Sequence, residues 1–230
     1  MELSRTGDRC HPSTTTNPTM TQTLWIARHG NRQDFVDPHW PQSAQRPYDP
    51  GLSPDGVVQA QELAQRLAGE KIAHIFASPF LRTVETAHQV AAVLNLPIKI
   101  EPGLGEWLDS GFPSMPETLS MPALAQRFPE IDLSYTPHVL LQHPESPQAL
   151  RERVSKTLQY LSATFPEDIL IVSHGSPILN MAKGLVGEST EVHASLCCLV
   201  KLVRQGPAWR MELNGDTTHL SQSETVVRFN

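Results

Sequence analysis

Cysteine is scarce in this chain of 230 residues, which contains three: Cys10 and the adjacent pair Cys197 and Cys198. Adjacent cysteines rarely bridge each other and no Cys-x-x-Cys spacing occurs, so neither a disulfide framework nor a zinc site is expected. No apolar run approaches the roughly 20 residues that a membrane-spanning helix needs. The sequence therefore predicts a cytoplasmic protein in a reducing compartment, with no membrane partner.

An excess of positive charge is also missing, because 18 Lys and Arg stand against 24 Asp and Glu, a formal net charge of -6. No global basic field attracts nucleic acid, so nucleic acid is excluded as a partner. A bound anion would have to meet a local cluster of cations. Residues 1–20 lack the apolar block of a secretory signal. We predict a disordered leader there, followed by one domain over residues 21–230.

Short apolar segments alternate with segments of helical periodicity along the chain. Ser53 followed by Pro54 is typical of a helix start, since serine caps the helix and proline suits its first turn. This alternation predicts a three-layer α/β/α sandwich with a mostly parallel central sheet. Strands are predicted over 24–27, 72–77, 97–100, 169–172, 197–203 and 209–213, helices over 53–69, 81–94, 147–165 and 177–185, and long loops over 31–51 and 101–122.

Polar residues follow three of the predicted strands, at the edge where parallel sheets bind ligands. Histidine is a competent nucleophile when one ring nitrogen is held as N–H and the other keeps a free lone pair. Neighbouring guanidinium groups match the oxygens of a phosphate dianion. The segments are Arg28-His29-Gly30, with Arg32 shortly after it, Ser78-Pro79 and Ser173-His174-Gly175.

Two further side chains suggest functional roles, one in binding an anion and the other in transferring a proton. Arg82 lies in the first turn of a predicted helix, where a cation opposes the helix dipole. Either a bound anion or an ion pair with Glu85 would account for it. Glu106 follows a glycine-rich apolar loop and precedes Trp107, so partial desolvation would help this carboxyl group to hold a proton. That property suits a general acid that protonates a leaving oxygen.

The order of these residues resembles the histidine phosphatase superfamily, also called phosphoglycerate mutase-like. That family has an Arg-His-Gly motif near its start, an arginine after Ser-Pro, an acidic residue in mid-chain and a late second histidine. The segment 52–60, Leu-Ser-Pro-Asp-Gly-Val-Val-Gln-Ala, is similar to another family signature. Segments 28–34 and 101–107 look most like the branch with the suppressor-of-T-cell-receptor-signalling phosphatases and the ecdysteroid-phosphate phosphatases.

The resemblance implies a metal-independent phosphomonoester hydrolase that needs no cofactor and acts through a phosphohistidine on His29. It implies a small-molecule or phosphoprotein substrate, and a homodimer is left open. A metal site built from His and Glu lacks ligand spacing on any one element. The implied catalytic residues are His29, Glu106 and His174, and the implied phosphate ligands are Arg28, Arg32, Arg82 and His174.

Two alternatives stay open at the level of sequence. One is a phosphoglycerate mutase-type phosphotransferase, which Asn31 disfavours because many members of the family carry Glu there. The other is a non-catalytic module that binds a phospho-ligand. The loops 31–51 and 107–146 are expected to cover the pocket, and their prolines and tryptophans favour an apolar or aromatic leaving group. His74 and His88 are expected to be structural.

Overall fold

A computed structural model describes residues 21–222 of the chain. The predicted leader, residues 1–20, and the last eight residues, 223–230, lie outside the described part. Within residues 21–222, none of the helices has the length and apolar character required to cross a membrane.

A single six-stranded sheet forms the middle layer, with the order β3-β2-β4-β1-β5-β6. Neighbours among the first four strands in this order are parallel, and β5 and β6 add antiparallel strands beside β1. The predicted mostly parallel sheet is therefore confirmed. The strands are β1 (Thr23–Arg28), β2 (Ile72–Ala77), β3 (Ile98–Ile100), β4 (Asp168–Ser173), β5 (Leu199–Gln205) and β6 (Ala208–Asp216).

Helices cover both faces of the sheet, which confirms the three layers. Along β1, Trp25 and Ala27 pack into one core with the helices over Pro54–Leu67 and Leu81–Leu94. Leu24 and Ile26 pack into a second core with the helices over Pro147–Thr164 and Gly175–Val186. This division follows from the alternation of side chains along a strand. The helices are α1 (Gln33–Val36), α2 (Trp40–Ser43), α3 (Pro54–Leu67), α4 (Leu81–Leu94), α5 (Met121–Arg127), α6 (Pro147–Thr164) and α7 (Gly175–Val186).

The start of α3 is confirmed in detail, because the Ser53 hydroxyl accepts a hydrogen bond from the Gly56 N–H at 3.2 Å. The same Ser and Pro signal at Ser120 and Pro122 marks α5, which sequence reasoning missed inside a long loop. Helix α7 begins two residues before the predicted Pro177, since proline is tolerated throughout the first turn of a helix. The predicted loop 31–51 contains the two four-residue helices α1 and α2.

The register of the sheet brings the polar strand ends together. Arg28 at the end of β1 pairs with Ser173 at the end of β4, and Ala77 at the end of β2 pairs with Val172. The residues that follow β1, β2 and β4 therefore emerge side by side at one edge. This edge carries the candidate site.

Candidate active site

His29 directly follows β1 and is buried, with its ring fixed by its own loop. Nδ1 lies 2.8 Å from the carbonyl oxygen of Gly30. Because a carbonyl only accepts, Nδ1 carries the proton and Nε2 carries the lone pair. Among the described residues, Nε2 has no hydrogen-bond partner. Burial, followed by the charges of the nearby arginines, lowers the pKa of His29 well below 6.5, so the ring is neutral at pH 7.

The charges that act on His29 belong to Arg82, Arg28 and Arg32, in decreasing order of effect. Nη1 of Arg28 donates to the carbonyl oxygen of Ala194 at 2.7 Å. The guanidinium of Arg32 is held by the Asp34 carboxylate in two bonds, of 2.9 and 2.5 Å. Three buried cations around one neutral ring form the local positive cluster that an anion requires in a chain of negative net charge.

Arg82 is the most available of these cations. Within the described part of the chain, its Nε and Nη1 atoms have no hydrogen-bond partner. Burial and the charge of Arg32 lower the pKa of Arg82 to about 10, so the side chain remains charged at pH 7. The alternative ion pair with Glu85 is not formed, because Glu85 binds Arg127 at 2.5 Å while Arg82 faces Glu106.

Glu106 lies between Arg82 and His174. Its Oε2 atom is 3.4 Å from Nη2 of Arg82 and 3.4 Å from Nδ1 of His174. Its Oε1 atom accepts a hydrogen bond from the Trp107 N–H at 2.9 Å. The carboxyl group is buried, as its apolar loop predicted. One carboxylate oxygen thus points into the cationic cluster while the other is fixed by the backbone.

His174 occupies the N-cap position of α7, but its side chain does not cap the helix. Its Nε2 atom lies 2.8 Å from the hydroxyl of Ser78, and its ring centroid lies 5.3 Å from that of His29. Phe80 packs edge-on against the ring at 5.2 Å. Burial, then the charge of Arg82, lowers the pKa of His174 well below 6.5. Both site histidines are therefore uncharged at neutral pH.

The fold brings together a set of atoms that could ligate a metal ion. Ligand atoms of His29, Glu106 and His174 lie within 4.8 Å of one another. Ligand spacing along single elements, which led us to expect no metal, does not apply to residues from three separate segments. The adjacent charges of Arg28, Arg32 and Arg82, however, repel a cation and attract an anion. The arrangement suits a phosphate-like group.

Two cavities open beside this cluster, of about 410 and 350 Å³. Both are lined by Tyr48, Glu106 and Phe112, and the rings of Tyr48 and Phe112 meet edge to face at 6.0 Å. The loops 31–51 and 107–146 thus contribute to the walls. Further aromatic lining comes from Trp107 in the first cavity and from Phe35, Trp40 and Phe80 in the second.

All the predicted site residues meet at this edge, but sequence reasoning missed several of their supports. Ser78 marked a strand end without being assigned the bond to His174. Thr86 accepts a hydrogen bond from the Gly30 N–H at 3.1 Å and so links α4 to the His29 loop. Thr86 lies four residues after Arg82 and therefore on the same face of α4, so the helical spacing could have indicated that it lies near the site. Arg153 on α6 gave no signal in the sequence. His74 and His88 lie outside the site and pair with Glu167 and Glu130.

The fold and the site define a class: α/β sandwich proteins with two neutral histidines and an arginine cluster at the carboxyl edge of the sheet. The family model described as the histidine phosphatase superfamily, branch 1, matches residues 24–217. The chain belongs to this superfamily, whose members include phosphatases, and the resemblance found in the sequence is confirmed.

Two relatives agree with this placement. The chain is 34% identical to the Homo sapiens ubiquitin-associated and SH3 domain-containing protein A, over 60% of this chain and 23% of that protein. It is 27% identical to the Drosophila melanogaster ecdysteroid-phosphate phosphatase, over 71% of this chain and 27% of that protein. It thus spans about a quarter of the length of these two relatives.

The fold is also similar to the crystal structure of the ecdysone phosphate phosphatase from Bombix mori in complex with tungstate. The TM-score is 0.71 with 21% identity, and the match covers 91% of this chain and 98% of that one. At this identity the likeness shows the fold, and it confirms the phosphoglycerate mutase-like architecture predicted from the sequence.

Proposed function

We propose that this protein hydrolyses phosphomonoesters without a metal ion, through a phosphohistidine intermediate on Nε2 of His29. The observation that carries the proposal is the state of that atom. Nε2 is buried, unprotonated and without a partner among residues 21–222, because Nδ1 is held by the Gly30 carbonyl. Arginines surround it, so the dianion that would occupy the space is attracted to the nucleophile rather than repelled.

In the first step, Nε2 of His29 attacks phosphorus and forms a P–N bond while the P–O bond to the leaving group breaks. Glu106, in its protonated form, gives its proton to the leaving oxygen. Charge spreads over the phosphoryl oxygens in the transition state, where the donors of Arg28, Arg32 and Arg82 stabilise it. His174 would add a further donor to these oxygens.

In the second step, the carboxylate of Glu106 takes a proton from water as the water oxygen attacks phosphorus. The P–N bond breaks, inorganic phosphate forms, and both His29 and Glu106 return to their starting states. The guanidinium groups take the charge-stabilising role that metal ions fill in other phosphoryl-transfer enzymes.

We further propose that the leaving group is apolar or aromatic, such as an aryl phosphate or a phosphotyrosine-like ester. The support is the lining of the two cavities, where Phe35, Trp40, Tyr48 and Phe112 face the space beside Glu106. Aromatic walls favour the transfer of an apolar group out of water. Equal or better turnover of sugar phosphates would contradict this preference.

The test is hydrolysis of p-nitrophenyl phosphate in EDTA, with no bisphosphoglycerate added. Wild type should turn over and His29→Ala should not, whereas the control His88→Ala should behave as wild type, since His88 pairs with Glu130 outside the site. No turnover by the wild type would favour the mutase or the binding module. An assay of phosphate transfer to phosphoglycerate would then distinguish the mutase, which transfers phosphate, from the binding module, which does not.

A further inference from the structure

Arg153 on α6 is buried against the loop that carries Glu106. Its Nη1 atom donates to the carbonyl oxygens of Gly103 at 2.9 Å and Gly105 at 3.0 Å. Its Nη2 atom donates to the carbonyl oxygen of Glu106 at 3.1 Å. A single guanidinium thus binds three carbonyl groups within residues 103–106, the last of which belongs to the proposed acid.

Glu145 completes the arrangement. Its carboxylate accepts from Nε and Nη2 of Arg153, each at 2.7 Å, so all five N–H donors of the guanidinium are engaged. The backbone of Glu145 binds the two residues that follow Glu106. Its N–H donates to the carbonyl oxygen of Leu108 at 2.7 Å, and its carbonyl oxygen accepts from Nε1 of Trp107 at 3.0 Å. The segment is therefore fixed on both sides of Glu106.

We propose that Arg153 and Glu145 are positioning residues that aim the Glu106 carboxyl group at the leaving oxygen. This inference rests on the proposed function. A displacement of about 1 Å can cost on the order of 10²-fold in rate, because proton transfer needs hydrogen-bond geometry at the reacting atom. Within residues 21–222, the hydrogen bonds of Arg153 go to Glu145 and to the three carbonyl groups, and none goes to His29 or to the arginine cluster. Its effect on catalysis passes through the backbone of Glu106.

Among the cationic side chains, only that of arginine has enough donors for these five hydrogen bonds. A lysine could neutralise Glu145, but its ammonium has three donors on a flexible stem and cannot bind three carbonyls and two carboxylate oxygens together. Arg153→Lys therefore keeps the charge and loosens the loop. Arg153→Met with Glu145→Leu removes both charges together, so that no unpaired charge is left in the interior if the single variant folds poorly.

The experiment compares kcat/KM for two esters that differ in their need for an acid. Phenoxide leaves poorly without a proton, whereas p-nitrophenoxide leaves well. Loss of the acid in Glu106→Gln should therefore slow phenyl phosphate by about 10²–10⁴-fold, and p-nitrophenyl phosphate by less. If Arg153 positions Glu106, then Arg153→Lys and the double variant should show the same bias. Their kcat/KM should fall roughly tenfold more for phenyl phosphate than for p-nitrophenyl phosphate.

Two controls separate positioning from simple destabilisation. Leu161→Ala removes a buried core side chain two turns further along α6, and should lower the thermal midpoint while slowing both esters equally. In the Glu106→Gln background, Arg153→Lys should add no further bias between the esters, since residues that act through one group are not additive.

The outcomes distinguish a failure of the positioning role of Arg153 from a failure of the proposed hydrolysis. Equal slowing of the two esters in both Arg153 variants would overturn the positioning role and leave the proposed hydrolysis intact. A further bias in the Glu106→Gln background would overturn it as well, because Arg153 would then act through another group. No turnover of either ester by the wild type would overturn the proposed function and, with it, the inference.

Discussion

Gly30 and Gly56 lie against each other so closely that neither has space for a side chain. A Cβ atom on Gly30 would lie 2.5 Å from the carbonyl oxygen of Gly56, and one on Gly56 would lie 2.1 Å from the carbonyl oxygen of Asn31. The backbone after His29 is thus packed directly on the first turn of α3. This contact gives a physical reason for the glycine in the Leu-Ser-x-x-Gly segment.

Gly56→Ala should therefore disturb the loop that holds His29. The clash is with backbone, so either α3 or the loop must shift, and overpacking of this kind costs about 1–3 kcal/mol. We expect a lower thermal midpoint and lower phosphatase activity. Gly69→Ala is the matched control, because no atom lies within 4 Å of its Cβ position, and it should be neutral or slightly stabilising. Equal behaviour of the two variants would contradict the packing argument.

Arg82→Lys should weaken the binding of inorganic phosphate, measured by titration calorimetry without any substrate turnover. The lysine keeps the charge but loses the forked donors Nε and Nη1, which are available in the structure. Charge-assisted hydrogen bonds contribute about 1.5–3 kcal/mol each, so we expect a Kd about 10-fold higher or more. Arg66→Lys, at a surface pair with Glu70, is the control and should leave the Kd unchanged.

The two buried histidines predict how stability depends on pH. The pKa values of His29 and His174 are lowered in the folded protein, so between pH 6.5 and those values the unfolded chain binds more protons. Stability should therefore be retained above pH 6.5 and fall as the pH drops below it. Urea denaturation at pH 7.5, 6.5 and 5.5 measures this, and the decrease should be smaller in His29→Gln. An identical pH dependence in that variant would contradict the burial of a neutral ring.

The buried carboxyl group of Asp49 should have the opposite effect on the pH dependence of stability. Its carboxylate accepts from the Leu81 N–H at 2.7 Å, at the start of α4, and burial raises its pKa from 3.8 to about 6. The folded state thus prefers the protonated form, and the contribution of Asp49 to stability is lost as pH rises through about 6. The difference between the two pKa values corresponds to about 3 kcal/mol in the free energy of unfolding.

Asp49→Asn keeps an acceptor for the Leu81 N–H and removes the buried charge. We expect the variant to be more stable than the wild type at pH 7.5, by up to about 3 kcal/mol, and the difference to shrink by about half at pH 5. Urea denaturation at both pH values measures it. A variant that is less stable at pH 7.5 would show that the attraction of Arg82 and Arg46 for Asp49 exceeds the cost of its burial.

The layers of the fold and the strands that precede the site residues could be predicted from the sequence. Short continuous apolar segments such as Ile169 to Val172, followed by polar residues, favour strands covered on both faces, and Ser53 with Pro54 indicates a helix start by local chemistry. These signals depend on neighbours in sequence, and so the strand ends just before His29 and His174 followed from them. The short helix α5 was missed because one buried residue, Leu124, gives no periodicity.

The partners of each site residue follow from the packing of segments that are distant in sequence, and local sequence patterns did not indicate them. Whether Arg82 faces Glu85 or Glu106 depends on where the segment that carries Glu106 folds back. The carbonyl group of Glu106 binds Arg153, which lies 47 residues later in sequence. The free Nε2 of His29 likewise depends on the turn at Gly30. Hydrogen bonds between residues distant in sequence leave no periodic pattern. For this physical reason the residues of the candidate site could be predicted from the sequence, whereas the residues that hold them in place could not.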